Sequence, residues 1–179
     1  YASAITILAQ LVLVNPKSVS MLRKLAGIYV KIHQYANAKM LYEKILIQGN
    51  VSPDIYYEFA HICVKTGDMD KAEKILKKVI DLNPEFAQAH KDLGVLYLSK
   101  RLFDYAEDEF SKALKLAPDN FEVLFEYANY LHATTNFEKA DEYYQKAIEI
   151  NPHNADALGF SALNKIHLNS LDKAYEQIK

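Results

Sequence analysis

The chain carries one cysteine in 179 residues. It can close no internal disulfide and build no cysteine-based zinc site, so nothing in it argues for an oxidising compartment and a reduced, cytoplasmic setting is the default expectation. Glycine and proline are scarce, 5 of each, too few for a β-rich fold with many tight turns or for loops that cradle phosphates. An excess of positive charge is missing as well. Lys and Arg number 21 against 23 Asp and Glu, a net charge of -2, the wrong sign for affinity that comes from neutralising phosphates, and no nucleic-acid partner is expected. No run approaches the roughly 18 uninterrupted apolar residues of a membrane span. A basic stretch ahead of an apolar one is also lacking at the N-terminus, so no membrane insertion is expected within this chain. What remains is a composition that is 50% hydrophobic and 25% charged, enough to bury a substantial core.

That composition is ordered by a period. Pro84, Pro118 and Pro152 stand 34 residues apart, and the same step from Ala4 meets Ala38, Ala72, Ala106, Ala140 and Ala174 without an insertion. A second column is large and apolar throughout: Tyr1, Tyr35, Met69, Phe103, Phe137, Leu171. A third reads Leu8, Tyr42, Leu76, Phe110, Tyr144, Ile178. Large and small residues keep to their own columns, as the packing of repeated units requires.

Each period holds two apolar patterns at helical spacing, separated by polar or turn-forming residues such as Lys65-Thr66-Gly67-Asp68 and Thr134-Thr135-Asn136. Two antiparallel helices per repeat follow. In the first helices the sets Leu22, Leu25, Ala26, Tyr29; Tyr56, Phe59, Ala60, Cys63; His90, Leu93, Gly94, Tyr97; and Leu124, Tyr127, Ala128, Leu131 are all i, i+3, i+4, i+7, one helical face each. The third member is always Ala or Gly, which lets a neighbouring helix approach closely. The second helices end at Asn83-Pro84, Ala117-Pro118 and Asn151-Pro152, where proline restricts the residue before it. Ser52-Pro53 and Asp119-Asn120-Phe121-Glu122 read as helix starts, the former with a capping hydroxyl before a proline at the first helical position.

The succession His90, Leu93, Gly94, Tyr97, Ala106, Phe110, Ala113, Pro118 resembles the tetratricopeptide repeat, and the resemblance extends along the whole chain. It implies an all-α, right-handed superhelical solenoid of stacked antiparallel helix pairs, held mainly by nearest-neighbour burial. Residues 1–18 would be the second helix of a partial repeat, 19–52, 53–86, 87–120 and 121–154 complete repeats, and 155–179 a further partial repeat in one array. The departures are few: the first large position is never Trp, Cys63 and Leu131 replace Tyr, and Ser161 and Lys165 put polar groups on the last first-helix. Polar outer faces are expected on terminal units of a solenoid, whereas Ile5, Ile7, Leu8, Leu11, Val12 and Val14 make the opening helix almost wholly apolar. The expectation is a fragment of a longer protein, or, alternatively, self-association through the terminal helices.

The sequence contains no G-x-x-x-x-G-K-[ST], G-x-G-x-x-G, H-E-x-x-H or G-x-S-x-G. No enzyme activity, cofactor or metal is expected. His33 falls in an inter-helix turn, His153 beside a repeat-ending proline and His90 in a core column, so no two histidines share a face at ligand spacing. Cys63 stands in the column of Tyr29 and Tyr97 and reads as a small buried hydrophobe. Lys71, Lys74, Lys77 and Lys78 are interleaved with Glu73 and Asp81 and read as a solvated outer face.

The informative surface is the first-helix stripe turned by about 100° from the core stripe. Its columns are Arg23, Tyr57, Lys91, Phe125, Gly159; then Gly27, His61, Val95, Asn129, Leu163; then Val30, Val64, Leu98, His132, Ile166. The resemblance makes this stripe the concave wall where peptides or partner helices dock. The candidate binding residues are therefore Arg23, Tyr57, His61, Lys91, Val95, Leu98, Phe125, Asn129 and His132. Apolar anchors beside a few orienting polar groups suit an extended or helical peptide; the other reading is a wall that merely fills a tight interior. Only Arg23, Lys91 and Asn129 are candidates for the carboxylate clamp that one subclass uses for acidic chaperone tails. The expected function is a non-catalytic scaffold or adaptor whose groove takes a peptide or helix of a partner protein. The alternative is a targeting or regulatory arm of an enzyme, such as a glycosyltransferase, whose catalytic domain lies elsewhere.

Overall fold

The computed structural model describes the backbone of residues 1–178 and the side chains of residues 1–169. Among the described residues ten helices follow one another: α1 (Ala2–Val14), α2 (Val19–Lys31), α3 (Tyr35–Leu46), α4 (Pro53–Lys65), α5 (Met69–Leu82), α6 (Ala87–Ser99), α7 (Phe103–Leu116), α8 (Phe121–Ala133), α9 (Phe137–Ile150) and α10 (Ala155–Ile178). Among the described residues there is no strand. The backbone forms two compact units, Tyr1–Pro84 and Glu85–Lys179, the first holding α1–α5 and the second α6–α10.

In the first unit α2 pairs with α3 and α4 with α5. Two kinds of local signal set the helix starts. Ser18 accepts a hydrogen bond from the Met21 amide, and Asp68 from the Lys71 amide, each satisfying one orphan donor of the first turn. At Ser52 the expectation needs correcting in one respect. Pro53 does open α4, but the Ser52 hydroxyl makes no cap bond; proline at this position already removes one orphan donor. The core is built from Leu22, Ala26, Ala38, Ile45, Phe59, Cys63, Ala72 and Val79, all without solvent exposure. Burial also pushes the Cys63 thiol above its ordinary pKa, which keeps it protonated and unreactive. α1 packs on α2 yet buries no residue, and Ala4 stays exposed, unlike the other described members of its column.

In the second unit α6 pairs with α7, α8 with α9, and α10 packs on α9. Ala106, Phe110, Ala113, Val123, Ala128, Ala140, Tyr144 and Ala147 form its fully buried interior. Asn120 and Asn154 cap α8 and the start of α10 by accepting from the Val123 and Ala157 amides. Ser161, polar on a core face, is buried and accepts from Gln145 Nε2 at 3.2 Å. Lys165 Nζ lies 3.9 Å from Asp141.

The corners between paired helices share one backbone device. His33, Gly67, Arg101 and Thr135 all adopt positive φ, at 60°, 78°, 57° and 63°, and they stand one period apart. The fifth position of that column, Asn169, does not turn: α10 runs through it as one helix to Ile178. No proline interrupts that stretch, and asparagine, which tolerates the left-handed region, is also accepted in a helix interior. Leu171, Ala174 and Ile178, the last members of the three sequence columns, lie outside the described side chains.

Candidate functional site

In the first unit the wall residues gather around a groove of about 390 Å³. Gly27, Val30 and Lys31 of α2 form one bank; Tyr57, Glu58, His61, Ile62 and Lys65 of α4 form the other, with Tyr35 and Tyr42 of α3 completing it. Gly27 leaves the space: a Cβ built there meets no atom within 4 Å. Tyr57 and His61, one helical turn apart, pack edge to face with ring centroids 4.6 Å apart and planes at 89°, a favoured arrangement of two rings.

Glu58 is the polar centre of this region. Arg23 donates through Nε to Oε2 at 2.8 Å and through Nη2 to Oε1 at 2.5 Å, and the Tyr42 hydroxyl donates to Oε2 at 2.6 Å. Burial works against the charged carboxylate, but Arg23 and Tyr42 outweigh it and hold Glu58 below the usual carboxylate range. Burial, then the bond to Glu58, drives the Tyr42 hydroxyl far above its ordinary value, so it remains a donor. The negative charge of the groove is thus answered from within. Arg23 itself faces a second depression of about 570 Å³ with Val19, Ser20, Lys24 and Ile55. Lys31 and Lys65 close α2 and α4 in exposed positions, and among the described residues neither forms an ion pair.

In the second unit the wall residues are engaged differently. Lys91 is largely covered and pairs with the neighbouring Asp92 carboxylate at 2.5 Å. Phe125 belongs to an aromatic cluster, 5.8 Å from Phe121, 5.7 Å from Phe160 and 6.1 Å from Tyr144 by ring centroids. Asn129 accepts from the Tyr144 hydroxyl at 2.8 Å and donates to Glu126 at 3.2 Å. His132 meets Asn164, whose Nδ2 donates to the Phe137 carbonyl at 2.8 Å; Asn164 Oδ1 is therefore the acceptor, and His132 donates from Nδ1 at 2.9 Å. Val95 and Leu98 are half-buried on α6. A carboxylate clamp needs its cations and amides unengaged, whereas Arg23, Lys91 and Asn129 already serve Glu58, Asp92 and Tyr144.

Nearby chemistry is structural in character. His90 is buried and its Nδ1 lies 2.6 Å from Glu109 Oε2, with Lys112 on the other carboxylate oxygen at 2.9 Å. Among the described residues no group of three or more His, Cys, Asp or Glu could hold a metal ion, and no helix is long and apolar enough to cross a membrane. Sequence reasoning named Tyr57 and His61 but passed over Lys31, Tyr35, Tyr42, Glu58, Ile62 and Lys65. Tyr35 and Tyr42 stand in columns that the sequence pattern assigns to the core, and the usable signal for the lysines is their shared phase.

Residues 22–120 match the family described as the Cilia and flagella-associated protein 70 middle TPR-like domain, and residues 121–154 match the tetratricopeptide repeat. The BBSome complex member BBS4 homolog of Drosophila melanogaster is 26% identical over 126 residues, covering 70% of this chain and 26% of that protein. A UDP-N-acetylglucosamine–peptide N-acetylglucosaminyltransferase of Giardia intestinalis is 32% identical over 100 residues, covering 54% of this chain and 7% of that protein. The chain thus spans a small part of either relative. Among solved structures, YrrB, described as a TPR protein with an unusual peptide-binding site, superposes with a TM-score of 0.71 at 22% identity, covering 88% of this chain and 81% of that one. With helix pairs repeating in phase and these matches together spanning residues 22–154, the chain belongs to the tetratricopeptide-repeat proteins, and residues 22–120 to the family of the Cilia and flagella-associated protein 70 middle TPR-like domain.

Proposed function

We propose that this chain is a non-catalytic protein-interaction module that takes a peptide or helix of a partner protein on its first-helix wall. The observation that carries the reading is the groove between α2 and α4, where Gly27 leaves open space beside the edge-to-face Tyr57–His61 pair. Aromatic anchors and a few polar groups are what peptide recognition uses. The named peptide-binding site of YrrB supports the class of activity. A photo-crosslinking residue placed at His61 tests it: labelling of a partner peptide there, absent when the residue sits at exposed Lys74 on the outer face, is the expected result. Equal labelling at both positions would overturn the reading.

Two other readings have observations of their own. The likeness to the Giardia transferase favours a regulatory arm of an enzyme; sequencing the gene on both sides of this segment decides it, and further repeats without a catalytic domain would remove it. Self-association is favoured by α1, where Ile7, Leu13 and Val14 are 57%, 81% and 85% exposed. Light scattering across concentrations separates this case. A mass that grows with concentration in the natural chain, but not in Leu13→Glu with Val14→Glu, supports it; a monomer throughout removes it.

A further inference from the structure

Resting on the groove reading above, we propose that the groove of the first unit selects an acidic peptide segment, with an apolar side chain seated over Gly27 and a carboxylate held between Lys31 and Lys65. Three observations converge on that chemistry.

The first is shape. Gly27 is the only wall position of its column in this unit without a side chain, and the space where a Cβ would stand is empty to 4 Å. Val30, Ile62 and Tyr57 line the same groove, so a side chain entering it exchanges water for apolar contact.

The second is the state of the one carboxylate in the lining. Glu58 accepts three hydrogen bonds, two from Arg23 and one from Tyr42. A cationic ligand would have to compete with a guanidinium already in bidentate geometry, so the groove offers little to Lys or Arg.

The third is the placement of the remaining cations. Lys31 and Lys65 line the same groove, one on each bank, and among the described residues neither forms an ion pair. Each sits in the last turn of its helix, where it complements the helix dipole. That accounts for a lysine at either site, but not for the two facing one groove whose own acid is neutralised. The charge is also local, since the same phase in the second unit holds Ser99, Ala133 and His167.

The test is selection from a random-peptide display library on the full chain, on Gly27→Leu and on the double variant Lys31→Glu with Lys65→Glu, each checked for helical content. Leucine at position 27 fills the groove from within and improves helix propensity, so this variant folds. The expected result has three parts. Enriched peptides combine acidic residues with an apolar one, enrichment vanishes on Gly27→Leu, and the double variant enriches basic peptides instead. A synthetic peptide from the first selection should bind the double variant about tenfold more weakly, the effect of two exposed charge contacts. Enrichment of peptides without acidic residues that is still lost on Gly27→Leu overturns the charge inference and leaves the groove reading standing. Enrichment undiminished by Gly27→Leu, or none on the natural chain, overturns both.

Discussion

Gly94 and Phe110 face each other so closely that a Cβ on Gly94 would stand 3.1 Å from the Phe110 ring. Phe110 is fully buried and has little room to retreat. Gly27 is also a helix-interior glycine, but its Cβ would meet open space. Replacing a helical glycine by alanine normally stabilises by about 1 kcal/mol. Gly27→Ala should realise that gain, whereas Gly94→Ala should lose it or become destabilising. Denaturant unfolding of the two variants measures the contrast, and equal shifts would contradict the packing of α6 on α7.

Thr135 holds φ at 63° in the corner where the first unit uses Gly67 at 78°. A β-branched residue in the left-handed region is strained by about 1–2 kcal/mol. Thr135→Gly should raise the thermal midpoint, and Gly67→Thr should lower it. Shifts of the same sign would show that the corners are not equivalent.

Asn164 is fully buried and joins three elements, accepting from His132 on α8 while donating to the Phe137 carbonyl of α9 from its place on α10. Asn164→Leu keeps the branched shape but leaves the His132 donor and the Phe137 carbonyl without their partner, at a cost of about 1–3 kcal/mol. Urea unfolding gives the number. A neutral result would mean that water replaces the amide.

Acid should weaken both units. Glu58 lies below its ordinary range because Arg23 and Tyr42 outweigh the opposing effect of burial, and Glu109 does so because His90 and Lys112 outweigh it. Unfolded, either carboxyl titrates near about 4.3. A pKa depressed on folding contributes stability that is complete above that value and is lost as pH falls through the lower folded one. The thermal midpoint should therefore drop with acidification below about pH 4.3, and Glu109→Gln should flatten the drop. A midpoint indifferent to pH over that range would contradict the assigned bonds.

How far the sequence alone could be read depends on whether a feature is local. The helix start at Asn120 and the stops before Pro84, Pro118 and Pro152 are written in neighbouring residues. The alanine column was recoverable for a similar reason: Ala38, Ala72, Ala106 and Ala140 are all fully buried, because one helix-pair contact recurs at one phase. Repetition turns a tertiary contact into a pattern along the chain.

The wall was different. Column phase placed Arg23, Lys91, Asn129 and His132 on one stripe, but it could not say that Glu58, Asp92, Tyr144 and Asn164 would engage them. Nor could it foresee that Gly27 leaves a groove with Lys31 and Lys65 on opposite banks. Helix identity and the order of the repeats came from short-range propensity and the thirty-four-residue rhythm. Which charges are answered and which stay available was decided only when side chains from separate helices met, since an ion pair depends on distances in space that no spacing along one strand of sequence encodes.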